Sequence, residues 1–180
     1  MNGRDRSVFS TVDINIYLAN QAISHVRKVL PHGSTNKKSD ETKECYMENV
    51  ERIGKMRGVE LPSMSHLSQI ERFKFLAKLY ESWGVGNCME QSIVALVFLN
   101  EMGINSIDFC YIPESGHYFL IVDGNVICDP WDDNAYSVDH FKERQKTSKD
   151  IQYALCVQLF GNTTPFLEGI PQVLDSFASK

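Results

Sequence analysis

An α+β fold is predicted by three features of the chain. Helical periodicity dominates up to Met102, strand-like runs joined by a hairpin signal follow it, and the last helix is apolar on nearly every side. The architecture expected is a helical N-terminal part, then a central buried helix carrying a cysteine and packed on an antiparallel sheet. At 180 residues, 43% of them hydrophobic, the chain suits one domain with a real core. Residues 1–62 read as a helical N-terminal extension and 63–180 as the core of the domain.

The first helix is expected over 12–30, with Ile14, Tyr17, Leu18, Ala22, Val26 and Val29 near one apolar stripe. Pro31-His32-Gly33 ends it, and the polar run Ser34–Asp40 is the expected internal boundary. A second helix covers 41–57, before Gly58, and Ser65 is the expected cap of a third containing Ile70, Phe73 and Leu76. Trp83-Gly84-Val85-Gly86 is a turn-rich approach to Asn87, which caps a fourth helix beginning at Cys88. Glu90, three residues after Asn87, completes a capping-box pattern. Gly103 closes that helix. Strands follow at Ile104–Ile112, His117–Val122 and Val126–Cys128, with Asp123-Gly124 as the hairpin signal between the last two. A charged helix around 138–146 and a strand at Tyr153–Phe160 complete the pattern.

Composition excludes several functions. Lys+Arg 18 against Asp+Glu 23 gives a net charge of −5, so a global basic surface for nucleic acid is absent. The longest uninterrupted apolar run, Ile93–Leu99, is too short to span a membrane. The N-terminus lacks the apolar stretch of an ordinary secretory signal. Five cysteines (Cys45, Cys88, Cys110, Cys128, Cys156) at wide spacings, with no Cys-x-x-Cys, fit free thiols in a reducing cytosol better than a disulfide scaffold. Cys110 and Cys128 flank His117 without a metal-ligand rhythm, so no metal and no cofactor are expected. A free cysteine ordinarily packs as a small hydrophobe.

Three segments depart from ordinary packing: Gly86-Asn87-Cys88-Met89-Glu90, Gly116-His117-Tyr118-Phe119 and Cys128-Asp129-Pro130-Trp131. At a helix start, Cys88 meets unpaired N–H groups and the positive end of the helix dipole, which favour the nucleophilic thiolate. The same N–H groups suit an oxyanion. Asp129 ends an apolar strand before Pro130, where a carboxylate needs a partner; orienting an imidazole is one use and capping a turn is another. The hairpin makes the first use testable. A two-residue loop Asp123-Gly124 would put His117 and Asp129 on opposite faces. A three-residue loop Asp123-Gly124-Asn125, with Asn125 in the left-handed conformation, or a bulge that restores parity, would put them on one face.

Gly-Asn-Cys-x-Glu at a helix start, then Gly-His-x-Phe, then Asp-Pro-Trp, resembles the core of the papain-like and transglutaminase-like cysteine enzymes over Trp83–Tyr136. It is most similar to compact bacterial members, including injected effector proteases and glutamine deamidases. Papain's oxyanion glutamine is replaced by Ser82 and the residue at 90 is Glu, which favours the transglutaminase-like branch. The resemblance implies Cys88 as nucleophile, His117 as general acid and base, and Asp129 as orienter. Trp83, Asn87 and Trp131 are the candidate oxyanion or substrate-binding residues, with Trp131 shielding the His117–Asp129 pair. It further implies a protein or peptide substrate, a host protein by analogy, and delivery by a specialised secretion system. The outcome is proteolysis, glutamine deamidation or transglutamination. The rival reading is a catalytically silent module that keeps this fold to bind a protein.

Overall fold

A computed structural model of the chain describes residues 10–35, 43–112, 116–141 and 157–158. Among these residues four helices are followed by an antiparallel sheet, the α+β arrangement expected: α1 (Thr11–Val29), α2 (Lys43–Arg57), α3 (Gln69–Trp83), α4 (Cys88–Glu101), β1 (Ile107–Ile112), β2 (His117–Val122), β3 (Val126–Asp129) and β4 (Asn134–Ser137). A two-residue strand β5 (Val157–Gln158) pairs with β1, giving the order β4-β3-β2-β1-β5. No described helix is long and apolar enough to cross a membrane.

Local chemistry sets the helix starts. Ser10 caps α1 by accepting the Asp13 N–H, while Asp13 accepts the Ser10 N–H. α3 begins at Gln69, after Ser68 and not after Ser65, because Glu71 stands three residues beyond Ser68 and accepts its N–H at 2.8 Å. The buried stripe of α1 is Asn15, Ala19, Ala22, Ile23 and Val26; Ile14 and Tyr17, expected inside, are 49% and 63% exposed. The small residues let α1 lie close to its neighbours: Ala22 and Val26 of the expected stripe are buried, Leu18 and Val29 pack at its edge, and only its first members, Ile14 and Tyr17, face outward.

α4 forms the centre. Ile93, Val94, Ala95, Leu96 and Leu99 are buried on different sides of it, against α1, α3 and the sheet. Complete burial of each larger aliphatic chain contributes about 1.5–3 kcal/mol. One apolar cluster joins the helices to the sheet face of Phe109, Leu120, Val122, Val126 and Cys128. The opposite face carries a second cluster of Cys110, Ile112, Phe119, Ile127 and Tyr136. α1 belongs to the first cluster and packs on α4, β3 and β4.

Three expectations change in detail. β1 starts at Ile107, after Ile104-Asn105-Ser106 have completed the exit from α4. The edge strand β4 was not expected; its four residues, Asn-Ala-Tyr-Ser, carry no alternating signal. Val138–His140 is a single 3-10 turn, and the rest of the charged segment lies outside the described residues. So do most of the polar loop at 36–40, Cys156, and all of the final strand except Val157–Gln158.

The hairpin places the site. Val122 pairs with Val126 and Leu120 with Cys128, which makes the connection three residues long. The left-handed residues are Asp123 (φ 48°) and Gly124 (φ 67°), not Asn125. Asn125 N–H returns to the Val122 carbonyl at 3.1 Å. The Asp-Gly pair thus makes the tight turn, and Asn125 is the extra residue that shifts the parity of β3. Buried Asn15 holds this turn, donating to Asp123 Oδ2 and Asn125 Oδ1, both at 3.1 Å.

Candidate active site

Cys88 is the first residue of α4, and its position follows from a chain of local constraints. Gly84 ends α3 in the left-handed conformation (φ 67°). Gly86 lies so close to α4 that a Cβ there would stand 2.7 Å from Glu90 Cβ. Asn87, in extended backbone, starts the helix, and Glu90 Oε2 accepts its N–H at 3.0 Å. Glu90 is fully buried, with Oε1 accepting from Arg57 Nε (2.9 Å) and Nη2 (2.7 Å). Its charge is therefore compensated by α2 and by the helix start together. The first intrahelical bond runs from Gln91 N–H to the Asn87 carbonyl at 2.9 Å, so the amides of Cys88, Met89 and Glu90 precede the α4 ladder.

His117 opens β2, and alternation places it on the face of Phe119 and Ile127, as it does Asp129. His117 Nε2 and Asp129 Oδ2 are 2.6 Å apart. Asp129 is 1% exposed, and its other oxygen accepts the Asp132 N–H at 3.0 Å. The carboxylate thus both orients the ring and caps its own turn.

Cys88 approaches from the mouth of β2, with Sγ 3.7 Å from the Gly116 carbonyl. Burial by itself lowers the imidazole pKa. Hydrogen bonds to Asp129 and to the Cys88 thiol, with the charges of both partners, more than reverse this and raise it to about 9. The structure therefore brings together the three residues expected from sequence.

The expected accessory residues divide. Trp131 stands edge-on to His117, with ring centroids 5.3 Å apart and an interplanar angle of 62°. Its Nε1–H donates to Ser34 Oγ at 3.1 Å. Asn87 is tied into the same wall: its side-chain carbonyl accepts from Ser34 Oγ and Thr35 N–H, both at 2.9 Å. Trp83 packs half-buried against the main apolar cluster at the end of α3.

Ser34, Arg27, Arg57 and Gln91 support the site and were not expected to, and Glu90, expected as the capping acid, also holds Arg57. Glu90-Gln91-Ser92 did carry a signal, being three polar residues in a helix otherwise apolar all round. Buried polar groups require partners, and each of these has one. Arg27 and Ser34 carry no such signal, because their partners lie far along the chain.

The other described cysteines differ from Cys88. Cys110 and Cys128 are fully buried, and burial pushes the Cys128 thiol up, followed in effect by the nearby Asp129 charge. Cys45 is exposed. Among the described residues, no three His, Cys, Asp or Glu side chains are grouped to hold a metal ion. Neither protein-family models nor curated proteins give a match to this sequence.

Proposed function

We propose that the chain is a cysteine-dependent amide hydrolase or acyltransferase built on a papain-like/transglutaminase-like core. The observation that carries this reading is the 2.6 Å His117–Asp129 pair, with the Cys88 thiol at a helix N-terminus held against Gly116, the residue before His117. A thiol, an imidazole and a carboxylate in this order along one network are the parts that nucleophilic acyl transfer requires.

In this reading the Cys88 thiolate attacks the carbonyl carbon of a peptide or side-chain amide. Its backbone N–H, at the open start of α4, is the natural donor to the oxyanion. Imidazolium is the resting form of His117 at neutral pH, given its raised pKa, so the proton needed by the leaving amine is already in place. Departure of the amine leaves a thioester on Cys88 and a neutral imidazole. His117 then takes a proton from the incoming nucleophile, and Asp129 holds the ring in one tautomer throughout. Water as nucleophile completes proteolysis of a backbone amide or deamidation of glutamine; an amine completes transglutamination. The substrate is a protein or peptide, and the work is done in a reducing compartment that keeps the thiol free.

A cell lysate treated with wild type or with Cys88→Ala, then compared by mass spectrometry, tests this reading. New chain ends, glutamine-to-glutamate conversions or isopeptide links confined to wild type identify the three outcomes in turn. Identical lysates would leave a binding module as the better description.

A further inference from the structure

We infer that Arg27 of α1 is a positioning residue that fastens the Cys88-bearing turn to the Asp129-bearing turn, an inference that rests on the catalytic reading above. The two turns come from distant parts of the chain, and no bond in the triad itself fixes their separation against side-chain motion. Arg27 reaches both. Its Nη2 donates to the Pro130 carbonyl at 2.5 Å, immediately after Asp129, and lies 3.5 Å from the Trp131 carbonyl. Its Nη1 is 3.4 Å from Gln91 Oε1.

Gln91 is fully buried, and its Nε2 donates to the Gly86 carbonyl at 2.7 Å, two residues before Cys88. One guanidinium therefore connects the approach to the nucleophile with the strand end that carries the orienting carboxylate. Nε completes the fork with Asp133 Oδ1 at 3.3 Å, although that carboxylate is more than half exposed and contributes little by charge alone.

The chemistry fits Arg and not Lys. A planar fork donates in several fixed directions at once, whereas an ammonium acts as a point charge and cannot span two carbonyls and an amide oxygen on opposite sides. Since Arg27 lies on α1, the N-terminal helix is part of the catalytic apparatus and not an appendage to it.

The test measures iodoacetamide modification of Cys88 across pH in full-length wild type, Arg27→Lys and Arg27→Ala. Both substitutions are expected to slow it at least about tenfold, the scale of one lost charge-assisted hydrogen bond. Millimolar guanidinium is expected to restore the rate in Arg27→Ala, and equal sodium chloride is not. Arg27→Lys, which keeps the stem packing and the charge, decides the matter if Arg27→Ala does not fold. Wild-type rates in a folded variant, or a loss that guanidinium leaves unchanged in folded Arg27→Ala, would overturn the inference. A wild-type Cys88 no more reactive than the remaining cysteines would instead overturn the catalytic reading, and this inference with it.

Discussion

His117 Nε2 and Asp129 Oδ2 stand 2.6 Å apart although they begin and end different strands of a hairpin. That contact depends on one extra residue in the connection, because strand side chains alternate faces and a single-residue slip separates them. Asn125 is that residue, and Asn15 on α1 holds the turn from outside the sheet.

Asp129→Asn keeps the shape of the side chain and removes its charge. The His117 pKa is expected to fall from about 9 towards its ordinary 6.5, since the carboxylate supplies both a hydrogen bond and a charge that raise it. NMR titration of the imidazole measures this directly. Turnover on any substrate found is expected to drop by about a hundredfold or more, the usual scale of a general acid–base contribution. An unchanged titration would separate Asp129 from the role assigned to it.

The same raised pKa fixes a pH dependence of stability. His117 binds its proton more tightly folded than unfolded, so unfolding releases a proton between about pH 6.5 and about 9. The stabilisation is fully present below about pH 6.5 and is lost as pH rises through about 9. Urea midpoints of wild type and His117→Gln are expected to differ most on the acidic side of that window and to converge across it. A difference that grows with pH would contradict the sign.

Gly86→Ala is expected to destabilise the fold by about 1–3 kcal/mol, the cost of overpacking a filled site. The added methyl would lie 2.7 Å from Glu90 Cβ, and Glu90 is held by Arg57 and by the Asn87 N–H, so it cannot swing away. Chemical denaturation measures the loss, and slower Cys88 alkylation is expected with it because the displaced residue lies at the start of α4. Wild-type stability would show that the turn has room to yield.

Arg57→Ala leaves a fully buried Glu90 carboxylate with only the Asn87 N–H, and is expected to cost about 3 kcal/mol. Glu90→Gln in the same background removes the stranded charge and is expected to recover part of that loss. A double-mutant cycle in urea reads the coupling; additive effects would show that the pair carries no interaction energy.

The sequence announced the parts of this molecule whose signals are local. Asn87, Glu90 and Gly84 mark the start of α4 within a few residues, and the observed helix begins at Cys88 as expected. Asp123-Gly124 marked the hairpin but left its length open; a shared face for His117 and Asp129 demanded a three-residue connection or a bulge, and the connection is three residues long. The left-handed conformation was assigned to the wrong member of that loop, because Asp123 and Gly124 form the tight turn by themselves. On α1, hydrophobic spacing selected Ile14 and Tyr17, but small residues with buried Asn15 allow the closer approach. β4 lacked any pattern, being a short edge strand that follows a left-handed Asp133. The support from Arg27, Ser34 and Arg57 was illegible for a different reason: each depends on a partner brought near only by the fold.

Competition between two cysteines tests the central claim most directly. Cys45 is exposed and Cys88 is 6% exposed, so accessibility alone ranks Cys45 first. Activation by His117 ranks Cys88 first, because thiolate and not thiol reacts. Limited iodoacetamide in mildly acidic buffer, followed by peptide mass spectrometry, is expected to modify Cys88 well ahead of Cys45 in wild type, with that lead lost in His117→Ala. Modification of Cys45 first, or a Cys88 rate indifferent to His117, would contradict the account.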